Sequence, residues 1–236
     1  MTTKTKRKKG LSARIIRIVI KAFLYGFLLS IAYVLFCKWI NPPLTITQIG
    51  SLLSGKGLHR KYVNMNEMSP NVKLAVMAGE DQLFPDHNGF DFKSIQKAMK
   101  HNQKSKSLRG ASTISQQVAK NVFLWQHGGY FRKVLEIYFT FMIEKVWTKK
   151  RILEMYLNVA EMGEGIFGVE AAAQHYFHKP AKNLSRKEAA LIAACLPNPK
   201  GYTIKPLSAH VASRFPWIVR QMNNLEDDPD VQALLK

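Results

Sequence analysis

Ser69-Pro70-Asn71-Val72-Lys73-Leu74-Ala75-Val76-Met77-Ala78-Gly79-Glu80-Asp81 reads as one helix from cap to end. Ser69 is a capping side chain, and Pro70 falls at the first helical position, where its missing N–H is harmless. Val72, Ala75, Val76 and Gly79 share one face at i, i+3, i+4 and i+7. The same period predicts further helices over Phe92–Asn102, Ser112–Val122, Phe131–Trp147, Lys149–Glu161, Val169–Tyr176 and Ala209–Asn224, the last disturbed at Pro216. Ser185-Arg186-Lys187-Glu188 is a capping box opening a helix that runs to Cys195 and stops before Pro197. Strand-like alternation is almost absent, with a short strand expected only at Leu44–Ile49. The expected class is mainly α.

Upstream, residues from Ala22 to Cys37 carry no charge, and Ile15–Ile20, Trp39 and Ile40 lengthen the apolar run until Pro42 and Pro43. A bilayer needs about 20 such residues in a helix, reached here if Lys21 and Lys38 snorkel to opposite interfaces. No small-x-small cleavage site follows, which favours a retained anchor over a signal peptide. The basic residues precede the helix, so the N-terminus is expected in the cytoplasm and the remainder outside. The expected organisation is a basic tail (1–14), a transmembrane helix (15–41), a linker (42–68), a catalytic domain (69–225) and a C-terminal tail (226–236).

The chain has 236 residues with 35 Lys and Arg against 16 Asp and Glu, a net +19, so its partner should be anionic. Nucleic acid, a membrane surface and a phosphorylated substrate all qualify, but an outward-facing domain argues against nucleic acid. Cys37 and Cys195 are the only cysteines, which excludes a disulfide framework and a Cys-rich zinc site. Gly163-Glu164-Gly165-Ile166-Phe167-Gly168 matches a dinucleotide fingerprint but follows a helix, so it reads as a tight turn between helices.

Three polar segments could carry chemistry. In the first, Glu80, Asp81, Asp86 and Asp91 crowd together. Glu80 ends its helix, where the macrodipole raises a carboxylate pKa, and Phe84 and Phe90 can add desolvation of the same sign. Such a carboxylate is a better base than one in water. His87 reads as a hydrogen-bond partner holding the loop, Asp86 as an ordinary loop residue. No metal-ligand spacing unites Glu80, Asp81, His87 and Asp91. In the second, Arg132, Glu136, Thr140 and Glu144 form a polar stripe on a helix apolar enough to be buried, either facing a cleft or forming a structural network. In the third, Gly110-Ala111-Ser112-Thr113 opens a helix whose first N–H groups could receive an anion. Gln117 and Lys120 share a face with Thr113; the alternative is a capped helix with a solvated face. Residues 100–109 read as a basic mobile loop.

Together these segments resemble the family 51 glycosyltransferases, the peptidoglycan glycosyltransferases of bacterial cell walls. The E-D-x-x-F-x-x-H-x-G-x-D element is Glu80–Asp91, and G-x-S-T-I-x-Q-Q-x-x-K-N is Gly110–Asn121. R-K-x-x-E is Arg132–Glu136, K-x-x-I-L-E-x-Y-L-N is Lys149–Asn158, and the closing element is Arg214–Val219. With no transpeptidase domain following, the chain is similar to the monofunctional members. The resemblance implies a lysozyme-like, two-lobed α domain with a membrane-hugging lobe behind one N-terminal transmembrane helix. It implies polymerisation of lipid II in the cytoplasmic (inner) membrane: the nascent lipid-linked glycan strand is the donor and the 4-hydroxyl of the next lipid II the acceptor. Glu80 matches the general base and Glu136 the second carboxylate, at the donor site.

By the same resemblance Lys120 and Arg132 match cations that stabilise the departing pyrophosphate. Ser112, Thr113, Gln117, Asn121 and Lys133 match substrate contacts, and Asp81, Phe84 and His87 residues shaping the cleft. No cofactor is required, although a divalent cation (Mg or Mn) fits at the pyrophosphate. Other cell-wall synthesis or division proteins are further candidate partners. Many relatives carry an Arg where Gly128 stands; either Lys133 or His127 supplies substitute charge, or pyrophosphate binding is weaker. A glycan hydrolase also uses a carboxylate pair, but it has no pyrophosphate for Lys120 and Arg132 to hold. A non-catalytic scaffold binding anionic lipid is the other alternative.

Overall fold

The computed structural model describes residues 8–105, 110–126 and 128–236. It falls into an N-terminal unit ending at Ile40 and a second unit from Asn41 to Lys236. The first is one helix, α1 (Lys8–Trp39). Its apolar segment Ala13–Trp39 has 27 residues, and an 18-residue stretch within it has a mean hydropathy of 2.1, with Phe23, Tyr25 and Leu29 exposed. At 1.5 Å per residue it is long enough for a hydrocarbon core of about 30 Å.

The second unit runs α2 (Ile46–Leu53), β1 (His59–Arg60), α3 (Pro70–Glu80), α4 (Phe92–Asn102), α5 (Ile114–Phe123), α6 (Tyr130–Val146) and α7 (Lys149–Val159). After these come β2 (Glu161–Gly163), β3 (Ile166–Phe167), α8 (Val169–Phe177), α9 (Arg186–Cys195), α10 (Ala209–Leu225) and α11 (Pro229–Leu235). Helix α3 packs on α9, α10 and α11, while α5 packs on α6 and α7. Of the apolar face expected of α3, Val72, Ala75 and Val76 are buried with Ile192 and Ile218 in the core, and Gly79 is half-buried. The domain is mainly α and lysozyme-like, as expected.

Four local expectations change. The strand expected at Leu44–Ile49 is instead the start of α2. Thr45 accepts from the Gln48 N–H and the Gln48 side chain accepts from the Thr45 N–H, a capping box that overrides the alternation. The glycine-rich turn after α7 carries β2 and β3 as a short antiparallel pair, with β1 parallel to β3. The last six residues of the presumed tail lie mostly in α11, which Asp228 caps. Val231, Leu234 and Leu235 are buried there, and the buried Lys73 Nζ donates to the Leu235 carbonyl at 2.8 Å. Pro216 sits inside α10 without ending it.

The fourth change concerns α6, expected to be buried because it is apolar nearly all round. Its buried residues are Glu136, Thr140 and Ile143, while Tyr130 and Phe131 are 94% and 70% exposed and Val134, Ile137 and Phe141 are also exposed. The helix is inverted relative to a water-facing one. Its polar stripe points inward, and its apolar side suits a lipid surface.

Candidate active site

Glu80 ends α3 because Asp81 leaves helical geometry as the C-cap, turning the chain into the loop that reaches α4. That loop is braced from behind. Phe84 is fully buried, packs edge-on to His87 at 6.3 Å and lies under Lys149 Nζ at 4.6 Å. His87 Nε2 lies 3.0 Å from each Asp81 carboxylate oxygen. Phe84 and His87 thus brace this loop, and neither is among the residues lining the cleft at Glu80.

The N-terminus of α5 also differs from expectation. Its Ile114 N–H donates to Asp81 Oδ2 at 2.9 Å and its Gln116 N–H to Thr113 Oγ1 at 3.2 Å, while the Thr113 hydroxyl donates to the Gly89 carbonyl. The open anion cradle is thus already occupied by a protein carboxylate and a cap. Thr113 fastens α5 to the Glu80 loop, and Ser112 beside it is exposed.

Glu80, Asp81, Ser112, Thr113, Gln117, Lys120 and Arg214 line a cleft of about 990 Å³. Gln117 and Lys120 also line an adjoining cavity of about 310 Å³ with Asn121, Gln126 and Tyr156. Asn121 Oδ1 accepts from Gln126 Nε2 at 3.0 Å. Gln117 Nε2 donates to Glu80 Oε2 at 2.7 Å. Burial pushes the Glu80 carboxyl above its ordinary pKa and outweighs the opposing pull of the Gln117 hydrogen bond and of Arg214 and Lys120; Asp81 adds to the rise. Desolvation is the largest influence on this group.

Glu136 is buried on α6 and accepts from Arg132 at 2.7 Å and from Lys133. Its side chain is 4% exposed, whereas that of Lys133 is 43% exposed, so the cluster presents positive charge outward. The buried Arg132 Nε has no protein partner among the described residues and remains available to an anion. Lys120 links the two carboxylates electrostatically. Burial depresses its pKa, Glu136 and Glu80 oppose this, and Arg132 and Lys133 reinforce it. The upper stripe of α6 thus acts electrostatically on Lys120, although no α6 residue is among those lining either cavity. Its lower half is structural, Glu144 pairing with Lys149 at 2.8 Å.

At Gly128, an added Cβ would come within 2.9 Å of Arg132 Cβ and of Trp125 Nε1, so Arg132 occupies space that a side chain there would need. Lys133 supplies charge beside Glu136; His127 lies outside the described residues. Arg214 was legible only as part of a motif, yet it lines the cleft, stacks on Trp217 at 3.8 Å and donates to the Gly79 carbonyl at 3.2 Å. Among the described residues no three His, Cys, Asp or Glu side chains converge as metal ligands. The residues around Glu136 are cations that already occupy its oxygens, and such a donor set does not fit a protein-held divalent ion.

A family model described as transglycosylase matches residues 46–223. Proteins named biosynthetic peptidoglycan transglycosylase from Shigella boydii serotype 4 and from two strains of Escherichia coli are similar to this chain. Each is 47% identical over 233 residues, covering 92% of this chain and 96% of the relative.

Proposed function

The chain belongs to the transglycosylase family and is a peptidoglycan glycosyltransferase of cell-wall synthesis, and on that premise we propose that it polymerises lipid II with Glu80 as general base. What supports this most is that Lys120 lines the cleft with Glu80 and feels the charge of two carboxylates of different character: Glu80, destabilised by burial, and Glu136, held by Arg132 and Lys133. Two such environments separate a proton acceptor from a charge-organising group.

Glu80 accepts the proton of the acceptor 4-hydroxyl as its oxygen attacks the anomeric carbon of the donor sugar. The bond from that carbon to the pyrophosphate breaks, and the undecaprenyl pyrophosphate leaves with the electron pair. Lys120, Arg132 through its free Nε, and Lys133 stabilise the charge developing there. Glu136 keeps those cations together and supports the protonated form of Lys120. A divalent cation, where used, would accompany the pyrophosphate and not a protein ligand set.

The apolar outer side of α6 suits a substrate that stays in the membrane, with the sugar-pyrophosphate reaching the cleft from the lipid surface. The basic residues before α1 favour a single-pass topology with the N-terminus cytoplasmic and the catalytic domain on the periplasmic side. Incubating the purified full chain with lipid II is expected to yield long glycan strands. Shortening of preformed strands would instead indicate a hydrolase, and no change a scaffold.

A further inference from the structure

We propose that Tyr156 is a positioning residue for Glu80: acting through the side-chain amide of Gln117, it holds Glu80 in the form that can accept a proton. This rests on the reading of Glu80 as general base. Tyr156, on α7, is 1% exposed, and its hydroxyl donates to Gln117 Oε1 at 3.2 Å. Gln117 Nε2 donates in turn to Glu80 Oε2 at 2.7 Å. Gln117 forms part of both the large cleft and the adjoining cavity, so the three residues bridge the wall between them.

The direction of this chain carries chemical information. An amide oxygen only accepts and an amide nitrogen only donates, whereas a phenol does either and an ionised carboxylate only accepts. With Tyr156 donating, the Gln117 nitrogen faces Glu80 and matches its ionised form. With the amide turned over, its oxygen would face Glu80 and match only the protonated acid. The amide's orientation and the proton on Glu80 are therefore linked, and because a phenol is a stronger donor than acceptor, Tyr156 favours the orientation that suits a base.

Burial favours the protonated acid, which cannot accept the proton of the attacking hydroxyl. The charged and titratable groups acting on Glu80 are Asp81 beside it, Lys120 on α5 and Arg214 on α10, and Glu80 in turn acts on Tyr156 of α7. Lys120 is the cation assigned to the pyrophosphate, whose charge offsets its pull on Glu80 once substrate binds. The Gln117 arm is neutral and keeps its effect at that stage. Burial together with Glu80 and Asp81 drives the Tyr156 phenol well above its ordinary pKa, so it stays a donor.

The test uses the full chain and two readouts: the pH profile of lipid II polymerisation, and the 13C titration of the Glu80 carboxyl in substrate-free protein. Tyr156→Phe keeps the ring and removes the donor. It is expected to move both the acidic limb and the Glu80 titration to higher pH. On that limb kcat should fall about fivefold, the scale of one net hydrogen bond, with KM for lipid II nearly unchanged and the loss fading at alkaline pH. Incorporating 3-fluorotyrosine at position 156 preserves shape and strengthens the donor, so both readouts should move to lower pH; a purely packing role would move neither. An unshifted Glu80 titration in both variants, or an equal loss at every pH, overturns the proposal. Continued polymerisation by Glu80→Gln would instead refute the base assignment while leaving the titration result intact.

Discussion

Replacing Glu80 by Gln is expected to stabilise the fold at neutral pH. Burial is the largest influence on this carboxyl and raises its pKa above 4.5, against the pull of Gln117, Arg214 and Lys120. Between pH 4.5 and the raised value the folded chain holds a proton that the unfolded chain releases. The stability tied to that proton is fully present below the unfolded value and is lost as pH rises through the folded one. At neutral pH the ionised carboxylate is thus a net cost, which an amide of the same shape avoids while still accepting from Gln117. Relieving a strained functional group of this kind gains about 1 kcal/mol, equivalent to a rise of roughly 2–4 °C in Tm for a domain of this size. Calorimetry of both proteins in detergent should show the gain near pH 7.5 and its disappearance near pH 4.5. A variant that melts below wild type at the higher pH, or a difference independent of pH, would refute burial as the dominant influence.

Lys120→Ala should weaken binding of the phosphorylated lipid substrate about tenfold more than binding of a neutral glycan, the scale of one charge-assisted contact; equal losses would make Lys120 structural. Gly128→Arg should lower polymerisation because its Cβ would meet Arg132 at 2.9 Å; unchanged or raised activity would contradict that packing. Gly168 has φ +83° and an added Cβ would lie 2.5 Å from the Asn158 carbonyl oxygen. Gly168→Ala should therefore cost about 2–3 kcal/mol, read as a Tm lowered by roughly 5–10 °C.

Much of the fold was legible because its signals are local. The Ser69-Pro70 start and the Ser185–Glu188 capping box each place a helix from four residues or fewer, and both helices form where expected. The same signals existed at Thr45-x-x-Gln48 and Asp228-Pro229, where β-branched alternation and the end of the catalytic motifs obscured them. Helix α6 was misplaced for a different reason. Periodicity identifies an apolar face but not the solvent it meets, and in this helix Glu136 is inside and Phe131 outside.

Within the site, residue type and position singled out Glu80, while for Lys120, Arg132 and Glu136 they left a structural role open and only the family resemblance implied a part in the chemistry. Their supports were not legible. Asp81 binding Ile114, and Tyr156 binding Gln117, join residues 33 and 39 positions apart. Such pairs depend on how α3, α5 and α7 pack, which no local pattern reports. For the same reason the N-terminus of α5 looked open to an anion when Asp81 already fills it.

The most direct test of the central claim compares wild type with Glu80→Gln in one lipid II incubation, following substrate binding and strand formation together. Wild type is expected to form strands and release undecaprenyl pyrophosphate, while the variant binds lipid II and forms none. Strands made by the variant at the wild-type rate would contradict the assignment of the proton acceptor.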